Sequence, residues 1–209
     1  MTGPYELWSA KGSGGGIIEA MLALAGVPVQ IIDAPPWEHG PHLEQLRRVN
    51  PLGQVPVLVL PDGTVMTESG AIVLLLGERH PETGLVPDAD DPRRPAFLRW
   101  LFFLTASLYA TFRYDDYPER WVTGAAARDE LRARVGDARK DMLRQLEAAA
   151  AAPWFLGEHM TALDLYIGMM NRWKPRTVWY AENCPNLTTI ARRVEAKPQL
   201  APVFARHFS

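Results

Sequence analysis

Asn50-Pro-Leu-Gly-Gln-Val55-Pro56-Val-Leu-Val-Leu60-Pro-Asp62-Gly63-Thr-Val-Met66-Thr-Glu68-Ser69-Gly-Ala-Ile-Val-Leu-Leu-Leu-Gly-Glu78 contains two apolar runs, a tight turn and a helix start. Val57 to Leu60 is a branched run bounded by prolines, and Asp62-Gly63 supplies the positive φ angles of a hairpin before a second short strand, Thr64 to Met66. Two antiparallel strands follow from that pattern. Glu68-Ser69 then opens a segment with Ala71, Ile72, Leu75 and Leu76 at helical spacing, so free backbone N–H groups stand beside Ser69 and attract an anion. A proline at a strand start, as in Val55-Pro56, has no ladder donor and belongs at an edge or in a special turn. In a cis form it would turn the Val55 amide and carbonyl outward, ready to pair with an extended peptide as an added strand. The stretch thus offers two grips: Val55 for a peptide backbone, and Glu68 with Ser69 for the charged end of an amino acid. Singly, an edge proline and an acid at a helix start are ordinary features. Together, at this spacing, they point to a ligand.

Asn50-Pro-Leu-Gly-Gln-Val-Pro-Val-Leu followed by Thr67-Glu68-Ser69 resembles the core motif of the cytosolic glutathione S-transferases, in particular bacterial serine-type-like members. The resemblance implies that Val55 and Pro56 form a cis turn binding the cysteinyl backbone of glutathione, and that Glu68 and Ser69 bind its γ-glutamyl end. It further implies a cytoplasmic detoxification enzyme, a homodimer, and glutathione as co-substrate with no metal.

Composition agrees with an ordinary soluble globular chain: 209 residues, 47% hydrophobic and 22% charged, with a formal charge of -2. No basic tract stands out, so neither nucleic acid nor a membrane is an expected partner; Arg47-Arg48 and Arg192-Arg193 read as solvated faces. The single cysteine, Cys184, has no partner for an internal disulfide, and no signal peptide is legible at the N-terminus, which together suggest the cytoplasm. Gly70 to Gly77, the longest apolar run, is too short to span a bilayer.

In chain order, Tyr5 to Ser9 reads as a strand, Ala10 to Gly16 as a glycine-rich turn, Ile17 to Ala25 as a helix and Val27 to Asp33 as a second strand, parallel to the first. A helix over Pro41 to Arg48 and the Asn50 segment complete βαβ-α-ββα, an α/β thioredoxin-like N-terminal domain over residues 1–80. Residues 81–95, with Pro81, Gly84, Pro87, Asp88, Asp90, Asp91, Pro92 and Pro95, read as a linker. Residues 96–209 read as an all-α C-terminal domain contributing the electrophile pocket. In it, Phe97, Trp100, Leu101, Leu104, Leu108 and Phe112 mark one amphipathic helix. A second runs from Gly124 to Ala151 with Leu131, Val135, Met142 and Leu146 inward and the arginines outside. Thr161 and Asp164 form a capping box that opens a buried helix over Ala162 to Trp173, and helices over Pro185 to Ala196 and Gln199 to Arg206 finish the chain.

With glutathione across Val55 and Glu68, its thiol reaches the loop after the first strand, where a hydroxyl donor can stabilise the thiolate. Ser9 and Ser13 compete for that role. The Gly12-Ser13 turn is similar to the activating turn of serine-type glutathione transferases, which selects Ser13 as the catalytic residue; Ser13 as a simple turn former is the plain alternative. Tyr5 does not match the tyrosine-type position, and the loop holds no cysteine. Gln54 is the candidate for the glycyl end of the tripeptide. Tyr109, Phe112 and Trp173 are candidates for the substrate pocket, with Tyr114, Trp179 and Tyr180 as further aromatic residues near it. The five histidines show no metal-site spacing. The expected activity is attack of the glutathione thiolate on a hydrophobic electrophile. The alternatives are glutathione-dependent disulfide or peroxide reduction, or a non-catalytic binding protein of the same fold.

Overall fold

The computed structural model describes residues 3–209. Strand β1 (Tyr5–Ser9) leads through the glycine turn into α1 (Gly15–Leu24), then β2 (Val29–Asp33), α2 (Pro41–Val49), the hairpin β3 (Val57–Val59) and β4 (Val65–Met66), and α3 (Ser69–Arg79). The sheet order is β2-β1-β3-β4. β1 pairs parallel with β2, Leu7 opposite Ile31, and antiparallel with β3, Leu7 opposite Leu58. This is the thioredoxin-like arrangement expected from the hairpin and the βαβ crossover.

The helical part consists of α4 (Arg94–Phe102), a π-helical stretch (Phe103–Leu108), α5 (Tyr109–Asp116), α6 (Ala125–Ala149), α7 (Ala162–Met170), α8 (Thr177–Asn183), α9 (Pro185–Glu195) and α10 (Ala201–Phe208). α1 joins the two parts. Ile17, Ile18, Ala20, Met21 and Leu22 are buried on every side of it, because it lies between α3 and the sheet on one hand and α7 and α10 on the other. Its one charged residue, Glu19, is buried too and is met by Arg206 Nε at 3.0 Å and His207 Nε2 at 3.1 Å from α10. Among the described residues no helix is long and apolar enough to cross a membrane.

Several elements differ from the sequence reading. α1 starts at Gly15, two positions before Ile17, and the glycine is required there: a Cβ on Gly15 would lie 2.0 Å from Ser9 Oγ. On α6 the buried residues are Arg139, Leu143 and Leu146, whereas Leu131, Val135 and Met142 are only partly buried. An arginine therefore occupies the inward face. The reason lies across the helix pair: Arg139 Nη2 donates to Asp115 at 3.0 Å and to the Thr111 carbonyl at 2.9 Å, and Nε donates to Thr111 Oγ1 at 3.0 Å. α7 stops at Met170 instead of Trp173, since the chain turns before Pro175, and α8 had no legible periodicity. In the stretch 81–95, Leu85 and Val86 are buried, and the Leu85 carbonyl accepts the Ala162 N–H at 2.8 Å. The capping box stands as expected: Asp164 accepts from the Thr161 N–H at 2.7 Å and from the Phe155 N–H at 2.8 Å.

Candidate active site

A cleft of about 740 Å³ runs between the sheet edge and the helices. Its sheet-side wall is formed by the Gly12-Ser13-Gly14 turn, Gln54, Val55, Pro56, Glu68 and Ser69. Its helical wall carries Thr105, Tyr109, Phe112 and Trp173. Ser13, Gln54, Val55, Pro56, Glu68, Ser69, Tyr109, Phe112 and Trp173 thus border one space, although they lie far apart in the chain.

The Val55–Pro56 bond is cis, and Val55 lies two residues before the start of β3. No hydrogen bond to the Val55 amide or carbonyl occurs among the described residues, so both remain available to a ligand strand. Asn50 prepares this loop by donating from Nδ2 to the Gln54 carbonyl at 2.9 Å.

Glu68 sits immediately before α3 at φ 62° and ψ 105°. A side chain at positive φ costs about 1–3 kcal/mol, and such residues cluster at ligand sites. Here the conformation stands at the end of a helix whose first N–H groups have no carbonyl partner within the helix. Arg176, the other non-glycine residue at positive φ among those described, lines the same cleft. Ser69 receives a hydrogen bond of 2.9 Å from Tyr166 Oη on α7. Because the tyrosine is the donor, the serine keeps its own proton for an acceptor such as a carboxylate. Burial raises the Tyr166 phenol well above its ordinary range, which keeps it protonated and donating. If Ser69 holds a carboxylate, Tyr166→Phe raises the KM for glutathione by about two- to ten-fold, the range of one neutral hydrogen bond. Steady-state kinetics over varied glutathione checks it, with kcat changed much less.

At the start of α1 the two serines are separated by the fold. Ser9 is buried, 2% exposed, beneath Gly15 and does not border the cleft. Ser13 borders it and accepts two backbone hydrogen bonds, from the Gly15 N–H at 3.1 Å and the Ala10 N–H at 3.3 Å. Both are acceptances, so the hydroxyl proton is uncommitted and the group can donate. Behind the turn, the Gly12 N–H donates to His207 Nδ1 at 3.1 Å, which places the imidazole proton on Nε2, toward Glu19. The C-terminal helix thereby braces the turn.

The helical wall rests on the Arg139 cluster. Arg139 stacks its guanidinium 4.2 Å from the centre of the Phe112 ring, and Lys174, next to Trp173, reaches Asp115 at 3.2 Å. Burial raises the Asp116 carboxyl on the cleft rim above the usual carboxylate range, with the Lys174 charge opposing it. Tyr114 stacks instead on Trp121, 4.7 Å between centres, and Trp179 and Tyr180 pack together away from the cleft.

Residues 18–79 match the glutathione S-transferase N-terminal domain family. Over 204 residues the sequence is 36% identical to the uncharacterized GST-like protein YncG of Escherichia coli strain K12, a match spanning 97% of this chain and 98% of that protein. The chain belongs to the glutathione S-transferase family. It is also 28% identical over 156 residues to glutathione S-transferase GstA of Escherichia coli O157:H7, covering 73% of each. Its fold is similar to that of a glutathione transferase homolog from Sulfitobacter crystallised with bound glutathione. That likeness has a TM-score of 0.86 at 22% identity and covers 97% of both chains.

Within this glutathione S-transferase fold, the functional candidates that sequence reasoning missed are Tyr166, His207 and Arg139. Tyr166 joins α7 to the start of α3 and His207 joins α10 to the Gly12 turn, each remote in sequence, and no local pattern marks such a pairing. Arg139 had one legible signal, the absence of an apolar residue at the centre of an inward stripe.

Cys184 plays no part in the cleft. It is fully buried, its Sγ 3.8 Å from the Leu143 carbonyl, and burial, with the Glu147 charge adding, pushes its thiol up to about 11. A thiol reagent at neutral pH is expected to leave the native protein unlabelled and to label it once after denaturation. The sign for stability follows: the neutral folded thiol favours the native state below the ordinary thiol range, and that contribution is lost as pH climbs toward about 11. Cys184→Ala keeps full turnover.

Proposed function

We propose that the protein is a glutathione transferase. Glutathione lies as an added strand on Val55, its cysteinyl backbone against Pro56, its ammonium at Glu68 and its γ-glutamyl carboxylate at Ser69 and the start of α3, with Gln54 toward the glycyl end. Ser13 donates its uncommitted proton to the sulfur and favours the thiolate. The thiol proton leaves to solvent. The sulfur electron pair then forms a carbon–sulfur bond with an electrophile held against Tyr109, Phe112 and Trp173, and the leaving group departs with the electrons of its own bond.

The observation that carries this reading is the state of the Ser13 hydroxyl, which accepts twice and donates to none of the described residues, on the same cleft as a Val55 backbone that none of them pairs with. The glutathione bound to the similar Sulfitobacter homolog supports it. Residues 1–80 act as the glutathione unit and 96–209 as the electrophile unit, joined by 81–95, in a cytoplasmic homodimer whose state light scattering reads directly. No cysteine borders the cleft, so disulfide reduction through an enzyme mixed disulfide has no nucleophile here.

The test is retention on glutathione-agarose, followed by conjugation of chlorodinitrobenzene and reduction of a glutathione mixed disulfide. Retention with conjugation supports the reading. Retention without turnover in either assay assigns a binding protein, and failure to bind glutathione removes the site altogether.

A further inference from the structure

Tyr109 opens α5 and enters the cleft from the helical side. Its hydroxyl oxygen is buried and has no hydrogen-bond partner among the described residues, although buried phenols ordinarily find one. Rings surround it: Tyr166, Trp173 and Phe112 pack edge-on or tilted at 5.6, 5.5 and 6.1 Å between centres. None of these rings is hydrogen-bonded to it; the Tyr166 hydroxyl donates to Ser69.

Across the cleft Gly14 lies close to this ring. A Cβ built there would lie 3.5 Å from Tyr109 Cε2, 3.8 Å from its hydroxyl oxygen and 4.0 Å from Pro56 Cδ. The unpartnered hydroxyl therefore stands over the residue that follows Ser13, beside the proline against which the cysteinyl group lies in the reading above. The turn has no side chain of its own at this point, and the space is filled from the helical layer instead.

We propose that Tyr109 is a second catalytic donor, its hydroxyl hydrogen-bonding the glutathione sulfur alongside Ser13. The proposal rests on the transferase reading. The thiolate is the acceptor that the buried oxygen lacks in the free protein. Burial, reinforced by Tyr166 and Tyr180, raises the phenol well above its ordinary range, so it stays protonated beside the sulfur and acts as a donor and never as the base. No proton is transferred from it; the hydrogen bond weakens as the sulfur electron pair moves into the new carbon–sulfur bond.

Tyr109→Phe removes one atom and keeps the ring packing. Thiolate absorption of bound glutathione, titrated against pH, is expected to show the thiol pKa raised by about one unit, a ten-fold loss of thiolate at pH values below it. The fall in kcat/KM then tracks the titration and disappears at alkaline pH, while glutathione retention and thermal midpoint stay at wild-type values. Combining it with Ser13→Ala raises the thiol pKa further than either change alone. An unchanged thiol pKa overturns the assignment, as does a lowered thermal midpoint with a pH-independent loss, which is the mark of a packing role. If the wild-type protein binds and ionises glutathione, such a result removes Tyr109 alone; if it binds none, the transferase reading fails and this assignment with it.

Discussion

Ser13→Ala lowers kcat/KM for chlorodinitrobenzene conjugation by about one to two orders of magnitude at neutral pH, the cost of one hydrogen bond to a charged sulfur. The sign of the pH effect follows from which form the serine favours. A donor stabilises the thiolate and lowers the thiol pKa, so its removal moves the rising limb of the pH–rate profile to higher pH. Ser13 also accepts the Ala10 and Gly15 N–H groups, and the alanine loosens the turn as well as deleting the donor. Thiolate absorption of bound glutathione separates the two effects, since a loosened turn weakens binding while a lost donor shifts ionisation. Ser9→Ala is the control. Its hydroxyl is buried beneath Gly15 with no hydrogen-bond partner among the described residues, so the change leaves both turnover and stability close to wild type. Equal losses in the two variants, or unchanged rates in Ser13→Ala, would remove Ser13 from the chemistry.

Arg139→Met destabilises the fold by about 3 kcal/mol, because it strands the Asp115 carboxylate in the interior between α5 and α6. Lys174, 3.2 Å from the same oxygen, stays as a partial partner and holds the loss to the lower end of the range for broken buried pairs. Replacing both members, Arg139→Met with Asp115→Leu, restores most of the stability, since two apolar side chains leave no uncompensated charge. Urea unfolding of the single and double variants measures the difference. A functional consequence accompanies the structural one. Phe112 loses the guanidinium packed on its ring, so the single variant is expected to bind aromatic electrophiles more weakly, while its affinity for glutathione, which the proposed function assigns to Val55 and Glu68 on the other wall, is preserved.

The N-terminal fold was legible because its signals are local. A proline before a branched run, Asp62-Gly63 and the capping box Thr161-x-x-Asp164 each act over a few residues, through backbone torsions or one hydrogen bond. They located β3, the hairpin and the start of α7, and the family motif added the grouping of Val55, Pro56, Glu68 and Ser69. Helix faces were less legible. The α6 stripe was assigned by hydrophobicity, which cannot anticipate that a cation is buried when its partners, Thr111 and Asp115, come from another helix.

What the sequence determined by itself was the order of elements, the family motif and the pair of candidate serines, since these depend on near neighbours and on spacing. Only the tertiary structure separated the two serines in space, by seating Ser9 under Gly15 and leaving Ser13 on the cleft. It alone also set the Tyr166 hydroxyl on Ser69, the His207 ring on the Gly12 amide and the Tyr109 hydroxyl over Gly14. Each of those pairs joins residues brought together by burial of α1 between two layers, and a contact made by packing leaves no periodicity in the chain that forms it.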